Sequence, residues 1–337
     1  MIRIALMGCA HIHMPFFIKN LKDNASVFTA AVWDRQAERA ESVASELNTQ
    51  AVEDADTIWK DESITAVVIA SETVFHEELF MKAVEHKKHI FVEKPLGFSA
   101  ADAKRMAEVV EKSGLLFQTG YFMRGQNVNL YLKKLVDSGA FGTITRVRHA
   151  NCHSGSLSGW FDGAWRWMAD PEAAGCGAFG DLGTHSLDIL MWLFGRPQKV
   201  TATIRKDITG KYGENCDESG EGLLLFPNGI IATLAGGWVD RANPVSCEIS
   251  GTELHAVVIN GALYLKSKTL EGADGVTPWT KDLPESAPHA FLLFLDALCG
   301  KTPALDLVSA QECAERSIVM EALYKSAADS CWVTPEY

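Results

Sequence analysis

Short apolar runs alternate with segments of helical periodicity over the first third of the chain. The runs at 2–7, 27–33, 64–70, 89–92 and 115–119 are almost wholly apolar, which is typical of strands buried on both faces. The segments between them predict helices at 16–22, 36–47, 74–86 and 99–113, the last with Ser99 as N-cap. Strands that alternate with helices in this way predict a doubly wound parallel sheet, and we assign it to residues 1–122.

The pattern changes after Gly142. Residues 143–151 alternate polar and apolar side chains, and further short strands are predicted at 222–226, 230–235, 245–250 and 255–259, with turn residues such as Pro227-Asn228-Gly229 between them. Core-type periodicity then predicts helices at 290–298 and 309–328. These segments fit an antiparallel sheet in a second α/β domain, residues 123–337. One face of such a sheet needs a cover, so a homo-oligomer, dimer or tetramer, is expected.

Composition narrows the class of partner. The 337 residues carry a formal net charge of −12, which argues against nucleic acid. The eight cysteines contain no C-x-x-C pair, which argues against a zinc or thioredoxin-type motif and favours a reducing compartment. The first residues are too short an apolar run for a signal peptide, and no run reaches the roughly 20 residues that span a bilayer. We therefore expect a cytoplasmic protein without a membrane partner.

The turn after the first predicted strand has the context of a dinucleotide-binding loop. It reads Gly8-Cys9-Ala10-His11-Ile12-His13, so only the first glycine of the G-x-G-x-x-G pattern is present. Asp34 ends the second strand, where a carboxylate suits ribose hydroxyls and favours NAD, while Arg35 beside it keeps NADP possible. A sheet that binds no nucleotide is the alternative. The two histidines next to Cys9 suggest a metal, but the strand–turn–helix context argues against one, and none is predicted.

A glycine-rich stretch in the middle of the chain, GCGAFGDLGTHSLD at 175–188, carries the strongest acid/base candidates. Asp181 and His185 are four residues apart and therefore share one face of a helix. Asp188, three residues further on, is placed to hold the His185 ring. A helix with a capping aspartate and a buried histidine is the alternative interpretation.

Aromatic and basic side chains upstream of this stretch could contact a substrate. Trp160, Trp165 and Trp167 could stack on the apolar face of a sugar, although tryptophan is more often in a core. His153 follows a strand, where it could meet a hydroxyl group or lie on a surface loop. The arginines Arg124, Arg148 and Arg166 could bind an anionic group or pair with carboxylates.

Several motifs together resemble the Gfo/Idh/MocA family (glucose–fructose oxidoreductase, inositol dehydrogenase, rhizopine catabolism). Glu93-Lys94-Pro95 after a short strand and the 175–188 stretch are the most specific, and the resemblance extends over essentially the whole chain. Ala70-Ser71 followed by His76, Arg124 after the last strand, and Trp165-Arg166 are similar too. The family implies a Rossmann domain, a second α/β domain with an open, mainly antiparallel sheet, and NAD(P)-dependent oxidation or reduction of a sugar, glycoside or cyclitol.

The resemblance and the turn together imply three sets of site residues. The catalytic set is Lys94, Asp181 and His185. The substrate set is Lys94, His153, Trp160, Trp165, Asp181 and His185. The cofactor set is Gly8, Ala10, His11, Ile12, His13, Asp34, Arg35, Ala70, Ser71, Glu72, His76, Glu93, Lys94, Arg124 and Arg166.

Roles follow from ordinary pKa values. Histidine is mostly neutral at pH 7 and can accept a proton, whereas lysine is almost wholly charged. His185 is therefore the expected general base, Lys94 the donor to the reacting oxygen, and Asp181 the group that orients the sugar or shares the proton. In some relatives the lysine lies in the proton path instead.

The loop after the strand at 64–70 departs from the family pattern. It reads Ser71-Glu72-Thr73 where the family commonly has Thr-Pro-Asn, so a charge at Glu72 is expected near the nicotinamide ribose. Two other functions remain possible: a NAD-dependent glycosidase that oxidises a ring hydroxyl transiently, and a non-catalytic NAD(P)-sensing regulator.

Overall fold

The computed structural model describes residues 1–337 and contains two β-sheets. Its strands are β1 (Ile2–Cys9), β2 (Val27–Trp33), β3 (Gln50–Ala51), β4 (Ala66–Ala70), β5 (His89–Val92), β6 (Phe117–Thr119), β7 (Ile144–Cys152), β8 (Lys199–Lys206), β9 (Asp217–Leu225), β10 (Ile231–Gly237), β11 (Val245–Gly251), β12 (Leu254–Ile259) and β13 (Ala262–Ser267). Its helices are α1 (Met14–Lys22), α2 (Ala37–Glu46), α3 (Asp56–Lys60), α4 (His76–Glu85), α5 (Ala100–Ser113), α6 (Asn127–Asp137), α7 (Pro171–Ala174), α8 (Ala178–Phe194), α9 (Ala290–Leu298) and α10 (Ala310–Asp329).

The first sheet is parallel and doubly wound, as the apolar runs predict. Its strand order is β3-β2-β1-β4-β5-β6, and every described pair is parallel. The strand order reverses beside β1, so the carboxyl ends of β1 and β4 form the crevice in which ligands of such sheets bind. At the start of α5, Ser99 and Asp102 form the capping box that their spacing indicates.

The second sheet is mainly antiparallel. Its order is β13-β12-β11-β7-β10-β9-β8, and only β7 and β10 run parallel. The helices α8 and α10 cover one face of it, and the largest apolar cluster lies between them and the sheet. A Rossmann-type sheet followed by this open sheet confirms the fold that the sequence predicts.

Six elements have no counterpart in the predicted pattern: β3, α3, α6, α7, β8 and β13. The strand β3 has only two residues, and β8 reads KVTATIRK with side chains that are mostly half-buried or exposed. These two strands lie at sheet edges, where side chains face water and a continuous apolar run is not required. No helix is long and apolar enough to cross a membrane.

The chain returns to the first sheet near its end. Phe291 of α9 packs against Phe17 and Phe91, with ring centroids 4.5 and 5.1 Å apart. The core beside α5 also contains Cys313 of α10. The helices α9 and α10 therefore help to fix the two sheets relative to each other. The domain boundary after residue 122 stays a prediction.

Candidate active site

The loop between β1 and α1 has the backbone of a phosphate-binding turn. Gly8 has a φ of +85°, and a Cβ there would lie 2.5 Å from the Cβ of Ser71, so only glycine fits. The helix α1 begins without a side-chain cap and with no acidic residue in its first turn. Its N-terminus therefore keeps the positive dipole end that suits a phosphate group. The loop fits a dinucleotide although two of its glycines are replaced.

The helix α8 brings Asp181 to Lys94 from the other domain. Lys94 Nζ donates to Asp181 Oδ1 at 2.5 Å, and the Trp238 indole donates to Oδ2 at 3.0 Å. Burial would lower the pKa of Lys94, but Asp181 outweighs it, so the pKa is raised. Burial would likewise raise the pKa of Asp181, yet the Lys94 ammonium lowers it to about 2. The two side chains form a buried ammonium–carboxylate pair.

His185 lies one turn further along α8 and is neutral. Its ring packs against Phe122 and Tyr121, with centroids 5.3 and 6.0 Å away, and its Nδ1 has no hydrogen-bond partner. Burial, with the Lys94 charge in addition, lowers the pKa of His185 to about 3. The imidazole is therefore neutral, in its unprotonated form, over the whole physiological pH range.

One cavity of about 460 Å³ joins these groups. Lys94, Asp181 and His185 line it together. His153 and Trp160 of the second domain and Ile12 and His13 of the dinucleotide loop complete its polar and aromatic wall. Residues from both domains thus meet at the carboxyl edge of the first sheet.

The side chain of Glu93 is buried against the dinucleotide loop. Its carboxylate accepts from His13 Nδ1 at 2.9 Å and from the Lys94 backbone N–H at 3.0 Å. Burial would raise its pKa, but His11 and His13 outweigh this and hold it well below the usual range. The neighbouring Gly120 leaves room for the carboxylate, since a Cβ there would lie 2.5 Å from Glu93 Oε2. Glu93 therefore fixes the His13 ring at the edge of the cavity.

Two contacts hold the segments around Lys94 in place. The buried His76 donates from Nδ1 to the carbonyl groups of Pro95 and Leu96, at 3.1 and 3.3 Å. Trp167 donates from its indole to the Ala10 carbonyl at 3.0 Å, which ties the long loop before α8 to the dinucleotide loop. His76 therefore positions the segment that contains Lys94. Nothing in the sequence indicates the contact between Trp167 and Ala10.

The helix α8 has no side-chain cap of its own, and a residue of strand β9 caps it instead. Gly177 at its start has no side chain, and Asp217 of β9 accepts from the backbone N–H groups of Gly177 and Phe179, at 3.0 and 2.7 Å. Tyr324 donates to the same carboxylate. Asp217 therefore orients the first turn of α8 and with it Asp181. The sequence shows no local signal for this, because the two segments are about forty residues apart.

The structure corrects the predicted role of Asp188. Its carboxylate accepts from Arg124 and from Arg316 of α10, with contacts of 2.6–3.0 Å, and does not hold the His185 ring. Arg124 is thereby removed from the cofactor set as well, since its guanidinium is buried between Asp188 and Glu312. Both residues form a buried ion cluster between the domains.

We expect Asp188→Asn to lower the free energy of unfolding by about 3–5 kcal/mol, because it removes the buried carboxylate between Arg124 and Arg316 and leaves them only the partly exposed Glu312 and the more distant Glu315. Urea unfolding followed by circular dichroism measures this. Asp137→Asn is the control: Asp137 forms a half-exposed surface pair with Lys133, and such pairs contribute less than about 1 kcal/mol. A loss in Asp188→Asn as small as in the control would contradict the cluster's role.

Asp34 also differs from its predicted role. Its side chain is 0 % exposed and is bonded to the Cys9 N–H, the Gln36 N–H and Arg39 of α2. Arg39 reaches Glu72 too, at 2.9 Å, which holds the Glu72 carboxylate beside Asp34 at the end of β2. Asp34 therefore fastens the dinucleotide loop. Arg39 was missed, although it follows Asp34 by five residues in the first turn of α2.

Three other residues that were predicted to contact the cofactor or the substrate have different partners in the structure. Arg35 pairs with Glu78 and lies 3.9 Å over the Phe75 ring. Arg166 donates to the Lys211 carbonyl and lies over Tyr212, and Trp165 packs with the small apolar cluster that contains Trp238. None of these three side chains lines the cavity that contains Lys94, Asp181 and His185, whereas His153 and Trp160 do.

Comparison with known proteins agrees with this geometry. Residues 2–121 match a family model described as an oxidoreductase family with an NAD-binding Rossmann fold, and residues 129–257 match a GFO/IDH/MocA C-terminal domain. The NAD⁺-dependent scyllo-inositol 2-dehydrogenase of Bacillus subtilis is 30% identical over 81% of this chain and 78% of its own length. The chain belongs to the Gfo/Idh/MocA family. The resemblance seen in its motifs is thus confirmed.

Two further members of the Gfo/Idh/MocA family differ in their named chemistry. A 2,7-anhydro-N-acetylneuraminate hydratase of Escherichia coli is 29% identical over 72% of this chain, and the match spans only 60% of that protein. The crystal structure of aldose-aldose oxidoreductase from Caulobacter crescentus superposes with a TM-score of 0.81 over 99% of both chains, at 21% identity. The latter shows the shared fold alone.

Proposed function

We propose that the protein transfers a hydride between NAD and a ring carbinol or ketone of a sugar, glycoside or cyclitol. The observation that carries this proposal is the convergence of an ammonium group, a carboxylate and a neutral imidazole on one cavity beside the dinucleotide loop. A dehydrogenase needs this set, because the alcohol must lose a proton while its oxygen is held. The bound nicotinamide would supply the hydride acceptor.

Each protein group has one role in this proposal. His185 takes the hydroxyl proton, because it is neutral and lies in the cavity. Lys94 donates a hydrogen bond to the reacting oxygen and stabilises its developing negative charge. Asp181 keeps Lys94 charged and oriented. The raised pKa of Lys94 supports this division over one in which the lysine carries the proton.

The test is a screen of purified protein with NAD⁺ against inositols, sugars, sugar acids and glycosides, followed by NADH absorbance. We expect at least one polyol to give stoichiometric NADH. Tight NAD⁺ binding without turnover of any member would contradict the proposal and favour a regulator.

A redox-neutral reaction is the second candidate. The Escherichia coli relative is named a hydratase, and the cavity holds two imidazoles, His13 and His153, beyond the one that hydride transfer needs. Transient oxidation of a ring hydroxyl to a ketone, elimination of the leaving group, addition of water in its place and return of the hydride would leave no net NADH. Release of free sugar from a glycoside without NADH would favour this candidate.

The pH profile tests the state of His185. Since burial lowers its pKa to about 3, the proton-accepting form predominates throughout the neutral and mildly acidic range. We expect kcat/KM to stay level between about pH 8 and about pH 5, where an unshifted histidine would lose activity below its midpoint near 6.5. A falling limb with a midpoint of 6–7 in the wild type, absent from His185→Gln, would contradict this.

A homo-oligomer through the outer face of the second sheet is also proposed. This face presents a row across neighbouring strands in which uncharged side chains flank one ion pair: Leu223, Thr233, Arg148, Glu248, Val257 and Tyr264. Light scattering at micromolar concentration is expected to give at least twice the monomer mass, and Val257→Arg to lower it. A monomer mass for the wild type would contradict the proposal.

A further inference from the structure

The carboxylate of Asp34 has no free position for a ribose hydroxyl. Its Oδ2 accepts from the Cys9 N–H at 2.6 Å and from Arg39 Nε at 2.8 Å. Its Oδ1 accepts from the Gln36 N–H at 2.8 Å and lies 2.7 Å from Arg39 Nη2. A carboxylate offers about four acceptor positions, so all are filled. The group that usually selects NAD in a Rossmann fold is covered here by an arginine.

The groups that remain toward the crevice at this end of β2 are Arg39 and Glu72. Arg39 is 19 % exposed and is fixed between two carboxylates, because its Nη2 also contacts Glu72 Oε1 at 2.9 Å. Glu72 is 13 % exposed and precedes a short turn at the end of β4. The cluster of Asp34, Arg39 and Glu72 carries one net negative charge.

We propose that Glu72, by holding Arg39, determines which dinucleotide the protein binds. With Glu72 in place, a 2′-phosphate would meet a cluster of net negative charge and an arginine whose Nε and Nη2 donors are bound to carboxylates, so NAD is preferred. Without the Glu72 charge, the cluster carries no net charge and the hold on Nη2 is weakened, so the guanidinium can turn toward a phosphate, which it binds strongly and in a defined geometry. The proposal rests on the dinucleotide cofactor of the proposed function and is independent of the sugar substrate.

Arg35, the residue that keeps NADP possible in the sequence, has a different position. It pairs with Glu78, whose side chain is 65 % exposed, and stacks on the Phe75 ring. The Arg35–Glu78 and Arg39–Glu72 pairs involve residues that are close together in the chain. Only Arg39 also bonds to Asp34. The two pairs therefore form a natural comparison: the same chemical change in Glu72 and in Glu78 separates a specific effect from a general gain of positive charge.

The experiment is isothermal titration of the purified full chain with NAD⁺ and with NADP⁺. We expect the wild type to prefer NAD⁺, and Glu72→Gln to shift the ratio of the two dissociation constants toward NADP⁺ by on the order of 30-fold. Glu78→Gln is the matched control and should leave the ratio within about twofold of the wild type. Adding Arg39→Gln to Glu72→Gln should abolish the gain for NADP⁺.

Each outcome bears on the proposal. An unchanged ratio in Glu72→Gln, an equal shift in Glu78→Gln, or a gain that survives the loss of Arg39 would overturn it. If the wild type binds neither dinucleotide, the cofactor site of the proposed function fails with it. If the ratio shifts as expected but no polyol is oxidised, the role of Glu72 stands while the proposed dehydrogenase function fails.

Discussion

Replacing His185 by glutamine is expected to lower kcat by about 10²–10⁴-fold while NAD⁺ binding is unchanged. The imidazole is the only neutral proton acceptor on the face of α8 that carries Asp181, and it lies within the cavity that both domains line. Glutamine keeps much of the volume and cannot accept the proton. Turnover of the polyol that gives NADH, together with NAD⁺ titration, measures the two effects separately.

The control for this prediction is His255→Gln. His255 lies on β12 and bonds to Ser250, far from the cavity in the second sheet. It should retain wild-type kcat. Near-wild-type turnover in His185→Gln would instead remove His185 from proton transfer and point to Lys94 as the base.

Local periodicity explains why part of the site could be predicted. Asp181 and His185 share a helix face because both lie within one turn of α8, and a spacing of four residues fixes that without any tertiary information. The same holds for the strand-and-helix alternation that predicts the first sheet. The position of Lys94 opposite this face came from the family resemblance, and the structure places it at 2.5 Å from Asp181.

The partners of buried charges could not be predicted. Asp188 has the spacing of a group that holds His185, but Arg124 and Arg316, 64 and 128 residues away in the chain, compete for its carboxylate. An ionised arginine on each side stabilises a buried carboxylate more than a neutral imidazole can. Asp34 shows the same effect with Arg39. Spacing indicates which side chains share a face, whereas charge pairing across elements decides what each one binds.

Lys94→Met is expected to lower kcat by about 10²–10³-fold, since the charged donor to the reacting oxygen is lost. Methionine fills a similar volume, so the cavity keeps its shape. Asp181 would then be a buried carboxylate with only the Trp238 indole as donor, and we expect its pKa to rise from about 2. A larger deuterium isotope effect on kcat with a C-deuterated polyol would show that the hydride step itself has slowed.

Lys88→Met separates this effect from the loss of any buried lysine. Lys88 is 3 % exposed, and its ammonium donates to the carbonyl groups of Asp61 and Ile64, away from the cavity. Both variants should lose stability, but only Lys94→Met should lose turnover per folded molecule. The double variant Lys94→Met/Asp181→Asn removes both buried charges, so we expect it to regain stability without regaining activity. Unchanged kcat and KM in Lys94→Met would show that the ammonium does not contact the reacting oxygen, and the proton and the negative charge would both have to be handled by α8.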